Sequence, residues 1–379
     1  MINVAFIAAS LQTGGAERQW VELIRGMDPK QFNVIVICLY ELGTIGKQMQ
    51  ASGVKCYTGL MKSRLSFGGV GRLAKVLKDE SIDVVFLWNQ PVTMLYSIPA
   101  ARLAGRDKIV AAIHNTGYTE GKHRIDFVNR LLMPFVKKVV ALGVPHKEYV
   151  IQKEHVAPDR VVIIYNGVEI ANYEITIDKK KKKAELGIPA DAKVVGIVAR
   201  LHKAKRHDVF LKAAKRILAE YPDVYFVIVG EGEEKQTVQD LILELGLSRN
   251  VKMLGLRRDI AEIVHTLDAA VLSSDPLVET LPMSIIEAMA SSVPVVSTNV
   301  GSLSDLVIDG DNGFLVGQGD FEGLSKAILK ILKDDALAAR MGRRGHEIAL
   351  EKFSREGMVK GYEDLFRSQA VLRGNGGPA

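Results

Sequence analysis

Short runs of apolar, mostly β-branched residues recur along this chain with a helix-length stretch between them, and this alternation constrains the fold more than any other feature. Val4–Ala8, Val34–Cys38, Val84–Trp88, Ile109–Ile113, Val139–Leu142 and Val161–Ile164 are continuous runs that do not alternate in polarity. A strand with one wet face alternates, whereas a parallel strand covered by helices on both faces is apolar throughout. Between the runs the spacing predicts helices near 16–26, 44–51, 68–79 and 122–136. The rhythm then restarts with Val194–Val198, Val224–Val229, Val251–Leu254, Ala269–Leu272, Val293–Ser297 and Gly313–Val316, with helices expected near 206–220, 233–245 and 258–265. A chain of 379 residues is too long for one average core and comfortable for two. The expected architecture is therefore α/β: two facing, doubly wound domains with a ligand cleft between them. Residues 1–170 form the first domain and 171–192 a linker. The second domain is 193–352, a C-terminal helix over 353–370 packs back on the first domain, and the Gly-rich end, 371–379, is a disordered tail. The five consecutive lysines Lys179–Lys183 read as solvated linker or helix start, with no site chemistry needed to explain them.

Several function classes drop out on composition. No stretch approaches the roughly 18 uncharged apolar residues that span a bilayer, and Met1–Ile7 lacks the basic start of a signal peptide and reads as a first strand. Two cysteines, Cys38 and Cys56, one of them in a strand run, fit a reduced, cytoplasmic chain. The formal charge of +6 is uneven: residues 1–170 hold 21 Lys and Arg against 14 Asp and Glu, giving +7, and the remainder holds 29 against 30, giving −1. A basic first half either fits an anionic partner (phospholipid headgroups, a lipid diphosphate, nucleic acid) or is a solubilising bias. Nucleic acid is the weakest of these, because that half has no exposed aromatics interleaved with its basic residues.

Four places carry candidate chemistry. Glu279 and Glu287 lie eight residues apart, the first among loop residues and the second in a helical run continuing Ala288-Met289-Ala290. Two carboxylates beside the free N–H groups of a helix start suit a polyhydroxylated, phosphorylated ligand. Arg200 and Lys205 follow the strand run Val194–Val198, at the strand end where open α/β sheets bind ligands, and could neutralise a diphosphate. Taken alone they would be a basic surface turn, which is the reading given to their neighbours Lys203 and Arg206. Gly14 and Gly15 follow the first strand and open a helix, so that the backbone can approach a phosphate there, although such a pair taken alone is more often a structural turn. The dinucleotide fingerprint is absent: there is no G-x-G-x-x-G, and the second strand ends in Cys38-Leu39-Tyr40 without an acid. His114 closes the run Ile109–Ile113, either as a catalyst or as a satisfied polar residue. No second His, Cys or Asp stands at metal-ligand spacing, so no metal is expected.

Gly14-Gly15-Ala16-Glu17, Asn166-Gly167-Val168, Arg200-Leu201 with Lys205, Glu279 to Glu287 with Ala288-Met289-Ala290, Pro294-Val295-Val296 and Gly313–Val316 occur in this order and spacing. Each is weak alone. Together they resemble the family-4 retaining glycosyltransferases of GT-B architecture, over essentially the whole chain and most densely from 194 to 316. The resemblance implies two Rossmann-like domains and transfer of a sugar, with retention, from a nucleotide diphosphate sugar to an acceptor hydroxyl. A UDP-sugar is favoured over a GDP-sugar. It implies that Arg200 and Lys205 hold the donor diphosphate, that Glu279 binds the donor-sugar hydroxyls and that Glu287 binds the ribose. Backbone N–H groups of Leu281, Met283 and Ser284 would reach sugar and phosphate, with Pro282 unable to donate. His114 would sit over the anomeric centre, Gly14 and Gly15 would approach the phosphate, and Leu256 would lie near the base. No cofactor is implied, since the nucleotide sugar is a substrate and no metal is expected. Two departures stand out. Thr280-Leu281-Pro282 replaces the family's frequent Gly-Phe-Gly, which changes the lip of the sugar pocket, and Gly143 replaces a common serine.

With no side chain placed as a safe nucleophile, the expected transition state is oxocarbenium-like with a departing diphosphate, and stabilising that charge is the main catalytic work. The acceptor is expected to be a glycan or lipid-linked precursor in envelope glycan, polysaccharide or glycolipid synthesis. The predicted helix near 122–137 has Ile125, Val128, Leu131, Leu132 and Phe135 on one side and is flanked by Lys122, Arg124, Arg130, Lys137 and Lys138. It is either a core-facing helix with a solvated basic face or a surface for peripheral contact with the inner face of the membrane. The competing functions are a nucleotide-sugar epimerase of the same architecture and a non-catalytic nucleotide- or sugar-binding protein. The first would be expected to lack the combination of two glutamates with Arg200 and Lys205, and the second gives no reason for all four to be present.

Overall fold

The computed structural model describes residues 1–12, 14–61, 67–88, 91–114, 130–276 and 279–371. These form two compact units, one of Met1–Gly167 with the chain from Arg355 onward and one of Val168–Ser354. The expectations for the tail beyond residue 371, and for most of the helix near 122–136, fall outside the described residues.

The first unit is a seven-stranded sheet of order β3-β2-β1-β4-β5-β6-β7, every neighbouring pair parallel. Its strands are β1 Ile2–Ala8, β2 Phe32–Cys38, β3 Lys55–Tyr57, β4 Val84–Trp88, β5 Ile109–Ala112, β6 Lys138–Ala141 and β7 Val161–Ile163. Side chains of one strand split between two cores. Ala5 and Ile7 of β1 pack on one face, and Val4, Phe6 and Ala8 on the other. Burial on both faces is why these runs lack alternation. Helices α1 Gly15–Gly26, α2 Gly43–Ala51, α3 Phe67–Asp79, α4 Pro91–Leu103 and α5 Val144–Gln152 supply the layers. Helix α4 is apolar on nearly all sides and carries Pro99 in its interior, so it has no periodicity to read. The last helix among the described residues, Arg355–Val371, belongs to this unit. Its Tyr362 and Phe366 stand edge-on to Phe86 at 5.4 and 5.5 Å, and Phe366 lies 6.0 Å from Phe6.

The second unit is a six-stranded parallel sheet of order β10-β9-β8-β11-β12-β13. Its strands are β8 Lys193–Val198, β9 Val224–Val229, β10 Val251–Gly255, β11 Ala269–Leu272, β12 Val295–Thr298 and β13 Gly313–Val316. In both sheets the chain winds outward one way, returns to the middle and winds the other way. The order reverses between β1 and β4 in the first unit and between β8 and β11 in the second. At such a reversal the loops leaving the two strand ends splay apart, and a crevice opens at the carboxyl edge.

The lysine run is corrected by the structure. Lys179–Glu185 is helix α6, capped by the Asp178 carboxylate accepting from the Lys181 N–H at 3.0 Å. Lys182 is buried, with its ammonium 2.6 Å from both Asp259 and Glu262. One lysine of the five therefore anchors this helix to the loop and helix after β10, while the other four are partly or fully exposed.

Candidate functional site

Lys205 and Glu279 leave the two strands that flank the reversal in the second sheet. Lys205 ends a 3-10 turn, Lys203–Lys205, in the loop after β8, and Glu279 lies in the loop after β11. Their side chains meet as an ion pair, with Glu279 only 3% exposed. Ser274 Oγ donates a further hydrogen bond to Glu279 Oε1 at 3.2 Å. Burial pulls the Lys205 ammonium down to about 8, and the carboxylate against it acts in the opposite direction. A carboxylate taken out of water costs several kcal/mol unless it is paired and hydrogen-bonded. A chain seeking stability alone would place an apolar residue there.

The loop that presents Lys205 is held at several points. His202 Nδ1 accepts the Ala204 N–H at 3.1 Å, which starts the 3-10 turn. Arg206 takes a left-handed backbone (φ 50°) and forks onto Asp208 at 2.8 and 3.0 Å, with a third bond to Asp275 at 3.1 Å. Ser273 Oγ donates to the carbonyls of Lys205 and Arg206, and the Asp275 N–H to the Ala204 carbonyl at 2.8 Å. Arg206 was expected to be a solvated surface charge. It is instead the clamp that ties the β8 loop to the β11 loop, a correction with a plain cause: its partner Asp275 is 69 residues away.

The loop after β12 closes the third side. The Ser302 N–H donates to the Thr280 carbonyl at 2.7 Å. Gly301 has φ 57°, and a Cβ built there would stand 2.3 Å from the Glu279 carbonyl oxygen. Helix α10, Met283–Ala290 (numbering α7 His207–Glu220, α8 Lys235–Glu244 and α9 Ile260–His265 before it), starts immediately after Pro282. Pro282 has an extended backbone and no side chain caps the helix, so the N–H groups of Met283 and Ser284 have no intrahelical acceptor. Glu287 is half-buried in the second turn of this helix, and Leu281 is buried just before it.

The remaining sequence candidates are placed as follows. Arg200 is 69% exposed and turns its guanidinium onto Glu233 at 2.9 Å, while Lys205 is on Glu279. Leu256 is exposed directly after β10. Gly14, Gly15 and His114 belong to the first unit. Gly14 precedes α1 with an extended backbone, and a Cβ on Gly15 would meet nothing within 4 Å. His114 follows β5 and stands edge-on to Trp88 at 5.1 Å. Burial, with His146 nearby, pushes the His114 imidazole down to about 3. Among the described residues, no three His, Cys, Asp or Glu side chains are grouped to hold a metal ion. Sequence reasoning missed Ser273, Ser274, Asp275 and Gly301. Ser273-Ser274-Asp275 directly after the run Ala269–Leu272 was a readable signal, since polar residues at a parallel strand's carboxyl end face the crevice.

The neutral histidines give a pH prediction. His146 Nδ1 accepts the Leu142 N–H at 3.0 Å, which places its single proton on Nε2. Burial holds His146 and His207 each down at about 4. An unfolded chain binds protons at these rings below about pH 6.5 and the native state does not, so stability is full above 6.5 and falls as pH drops towards 4. The expected loss is about 1.4 kcal/mol per histidine for each pH unit in that window. Calorimetry from pH 7 to 5 should show Tm falling, with a shallower slope for His146→Asn, whose side-chain carbonyl can still accept from Leu142. An unchanged Tm at pH 5 would refute the neutral assignment.

The sequence matches two family profiles. Glycosyltransferase Family 4 covers residues 13–172, and Glycosyl transferases group 1 covers residues 178–348. The N-acetyl-alpha-D-glucosaminyl L-malate synthase of Bacillus anthracis is 28% identical over 297 residues, 78% of this chain and 77% of that protein. The UDP-Gal:alpha-D-GlcNAc-diphosphoundecaprenol alpha-1,3-galactosyltransferase of Escherichia coli is 28% identical over 349 residues, 89% of each. Among solved structures, Anabaena Alr3699/HepE in complex with UDP-glucose superposes with a TM-score of 0.84 at 22% identity, over 97% of this chain and 100% of that one. Both profiles, in sequence order over the two sheets, and the matching fold make this chain a GT-B glycosyltransferase of group 1, family 4, which uses a nucleotide-sugar donor.

Proposed function

We propose that this enzyme moves a hexosyl group from a UDP-sugar to an acceptor hydroxyl of a glycan or lipid-linked precursor in envelope glycan or polysaccharide synthesis, without a metal. The observation that carries the reading is the buried Lys205–Glu279 pair at the reversal of the second sheet. In the free protein each charge neutralises the other. When the donor enters, the Lys205 ammonium exchanges Glu279 for the diphosphate, and the Glu279 carboxylate accepts hydrogen bonds from the sugar hydroxyls that take the ammonium's place. The bond between the anomeric carbon and the diphosphate oxygen breaks and that oxygen keeps the electron pair, the acceptor oxygen bonds to the same face of the carbon, and the acceptor hydroxyl's proton passes to the departing diphosphate. Lys205, Arg200 released from Glu233, and the N–H groups of Met283 and Ser284 at the start of α10 stabilise the departing charge. Glu287 is assigned to the ribose, Leu281 and Leu256 to the sugar and base margins, and Gly14, Gly15 and His114 to the acceptor-side unit.

The uracil base is favoured by UDP in the Anabaena protein and by the UDP-galactose of the Escherichia coli relative. The envelope setting is favoured by that relative and by the lipopolysaccharide core glycosyltransferase LpsE of Rhizobium meliloti, 35% identical over 49% of this chain and 53% of that protein. The test is a thermal-shift panel of UDP, GDP, ADP and their sugars, with and without EDTA. UDP ligands should raise Tm most, by about 2.7 kcal/mol of added stability at a hundredfold excess over Kd, with EDTA making no difference. A larger shift with GDP would overturn the base, and loss of the shift in EDTA would overturn metal independence.

A further inference from the structure

We infer that the amino-end edge of the first unit's sheet, over strands β5 to β7, is a docking surface for an anionic lipid bilayer. In a parallel sheet the residues entering neighbouring strands lie side by side. Here Arg106 and Lys108 enter β5, Lys137 and Lys138 enter β6, and Arg160 enters β7. The edge is knitted together by Lys138 Nζ on the Asp159 carbonyl at 2.7 Å and Arg160 on the Pro134 carbonyl at 3.2 Å. Arg102, near the end of α4, stands 4.8 Å over the ring of Phe135 and adds a further charge, as does the exposed Arg130. Against these seven cations stand Asp107 and Asp159.

Apolar side chains project among the charges. Leu131 is 61% exposed, Leu103 59% and Phe135 38%. Exposed leucines are ordinary one at a time. Three large apolar groups set within a cluster of five net positive charges are the arrangement that combines insertion into the headgroup layer with attraction to anionic lipid. The charge is one-sided. The neighbouring edge at β4 carries Asp79, Glu80 and Asp83 against Lys78 and Lys55, the latter paired with Glu80 at 2.6 Å, so it holds no matching excess of positive charge. Arg130, Leu131, Phe135 and Lys137, with the flanking Lys138, come from the described end of the helix expected near 122–137, which is helical at 130–132 and continues into the 3-10 turn Met133–Phe135.

The surface lies at the opposite end of β5 from His114, so docking leaves the carboxyl strand ends of this unit clear of the bilayer. Binding to lipid and binding of donor are therefore separable. The experiment is co-sedimentation of the full chain with vesicles of phosphatidylcholine alone and with one third phosphatidylglycerol, at low and high salt. Wild type should partition onto the anionic vesicles only, and less at high salt. Arg130→Gln with Lys137→Gln should weaken partition about 30-fold, and Leu131→Ser about fivefold. Tm and the UDP thermal shift should stay at wild-type values. Equal binding to neutral vesicles, no binding to anionic ones, or unchanged partition of either variant would overturn the inference. So would retention by a short DNA duplex without vesicle binding. Failure of the UDP shift alone would count against the donor assignment and leave this surface standing.

Discussion

Replacing Lys205 with alanine should lower glycosyl transfer by a factor of 10² to 10³, and it should also destabilise the second unit. The two losses have different origins. Removing one preorganised charge from the departing group costs roughly 3–4 kcal/mol in the transition state. Removing one member of a buried pair leaves Glu279, 3% exposed, with the Ser274 hydroxyl donating to its carboxylate. An uncompensated buried charge costs about 3–5 kcal/mol of folding free energy, or forces the carboxyl to take up a proton. A single-point assay would confuse these effects, so the informative variant is Lys205→Met combined with Glu279→Gln. Neutralising both partners should return most of the stability, because no charge remains to be desolvated, while transfer stays at or below the level of Lys205→Ala. If the double variant recovers transfer together with Tm, Lys205 is a structural residue and the diphosphate assignment fails. Transfer by Lys205→Ala within threefold of wild type would have the same consequence.

The contrast with Arg200 sharpens this argument. Its guanidinium lies mostly in water on Glu233, and an exposed pair of that kind contributes about 0–1 kcal/mol. On the proposed assignment Arg200 changes partners at little cost when a diphosphate arrives, whereas Lys205 has to leave a carboxylate that is 3% exposed. Lys205 and Glu279 are already bound to each other in the free protein, so on that assignment the donor has to displace this contact. A donor whose sugar hydroxyls cannot satisfy Glu279 would leave that carboxylate unpaired, and the pair thereby discriminates against poor donors.

How far the sequence disclosed this site follows the range of the interactions. The strand runs were legible because burial on both faces is written into each strand's own residues; Lys205 became a candidate because it follows such a run, and Glu279 and Glu287 by their eight-residue spacing at a helix start. Strand β3, Lys55–Tyr57, escaped because a three-residue edge strand with an exposed lysine has no run to read. Arg206 and Lys182 were read as solvated because nothing local distinguishes them from their basic neighbours. What does so is Asp275 for one, and Asp259 with Glu262 for the other, all distant in sequence. Arg200 was grouped with Lys205 on spacing, but a loop lets two cations five residues apart face different partners, and the Arg206 clamp holds them that way.

Two glycine substitutions should separate the scaffold of the site from its open surface. Gly301→Ala puts a Cβ 2.3 Å from the Glu279 carbonyl oxygen at a backbone angle that L-residues rarely adopt, φ 57°. The left-handed conformation costs about 1–2 kcal/mol, and the overlap about 1–3 kcal/mol more. Relief can come only by moving the segment that carries Glu279 and Thr280, so stability and transfer should fall together, transfer by two decades or more. Gly15→Ala meets nothing within 4 Å, at the first position of α1. Replacing a helical glycine there should raise stability by about 0.5–1 kcal/mol, while on the proposed phosphate role the new methyl group would crowd the ligand. Tm should rise slightly and kcat/KM should fall. If Gly15→Ala raised Tm and left kcat/KM unchanged, the turn would be structural only and its phosphate role would be withdrawn. If Gly301→Ala kept full activity, the backbone of Glu279 would not be what positions the carboxylate, and the buried pair would lose its place at the centre of the mechanism.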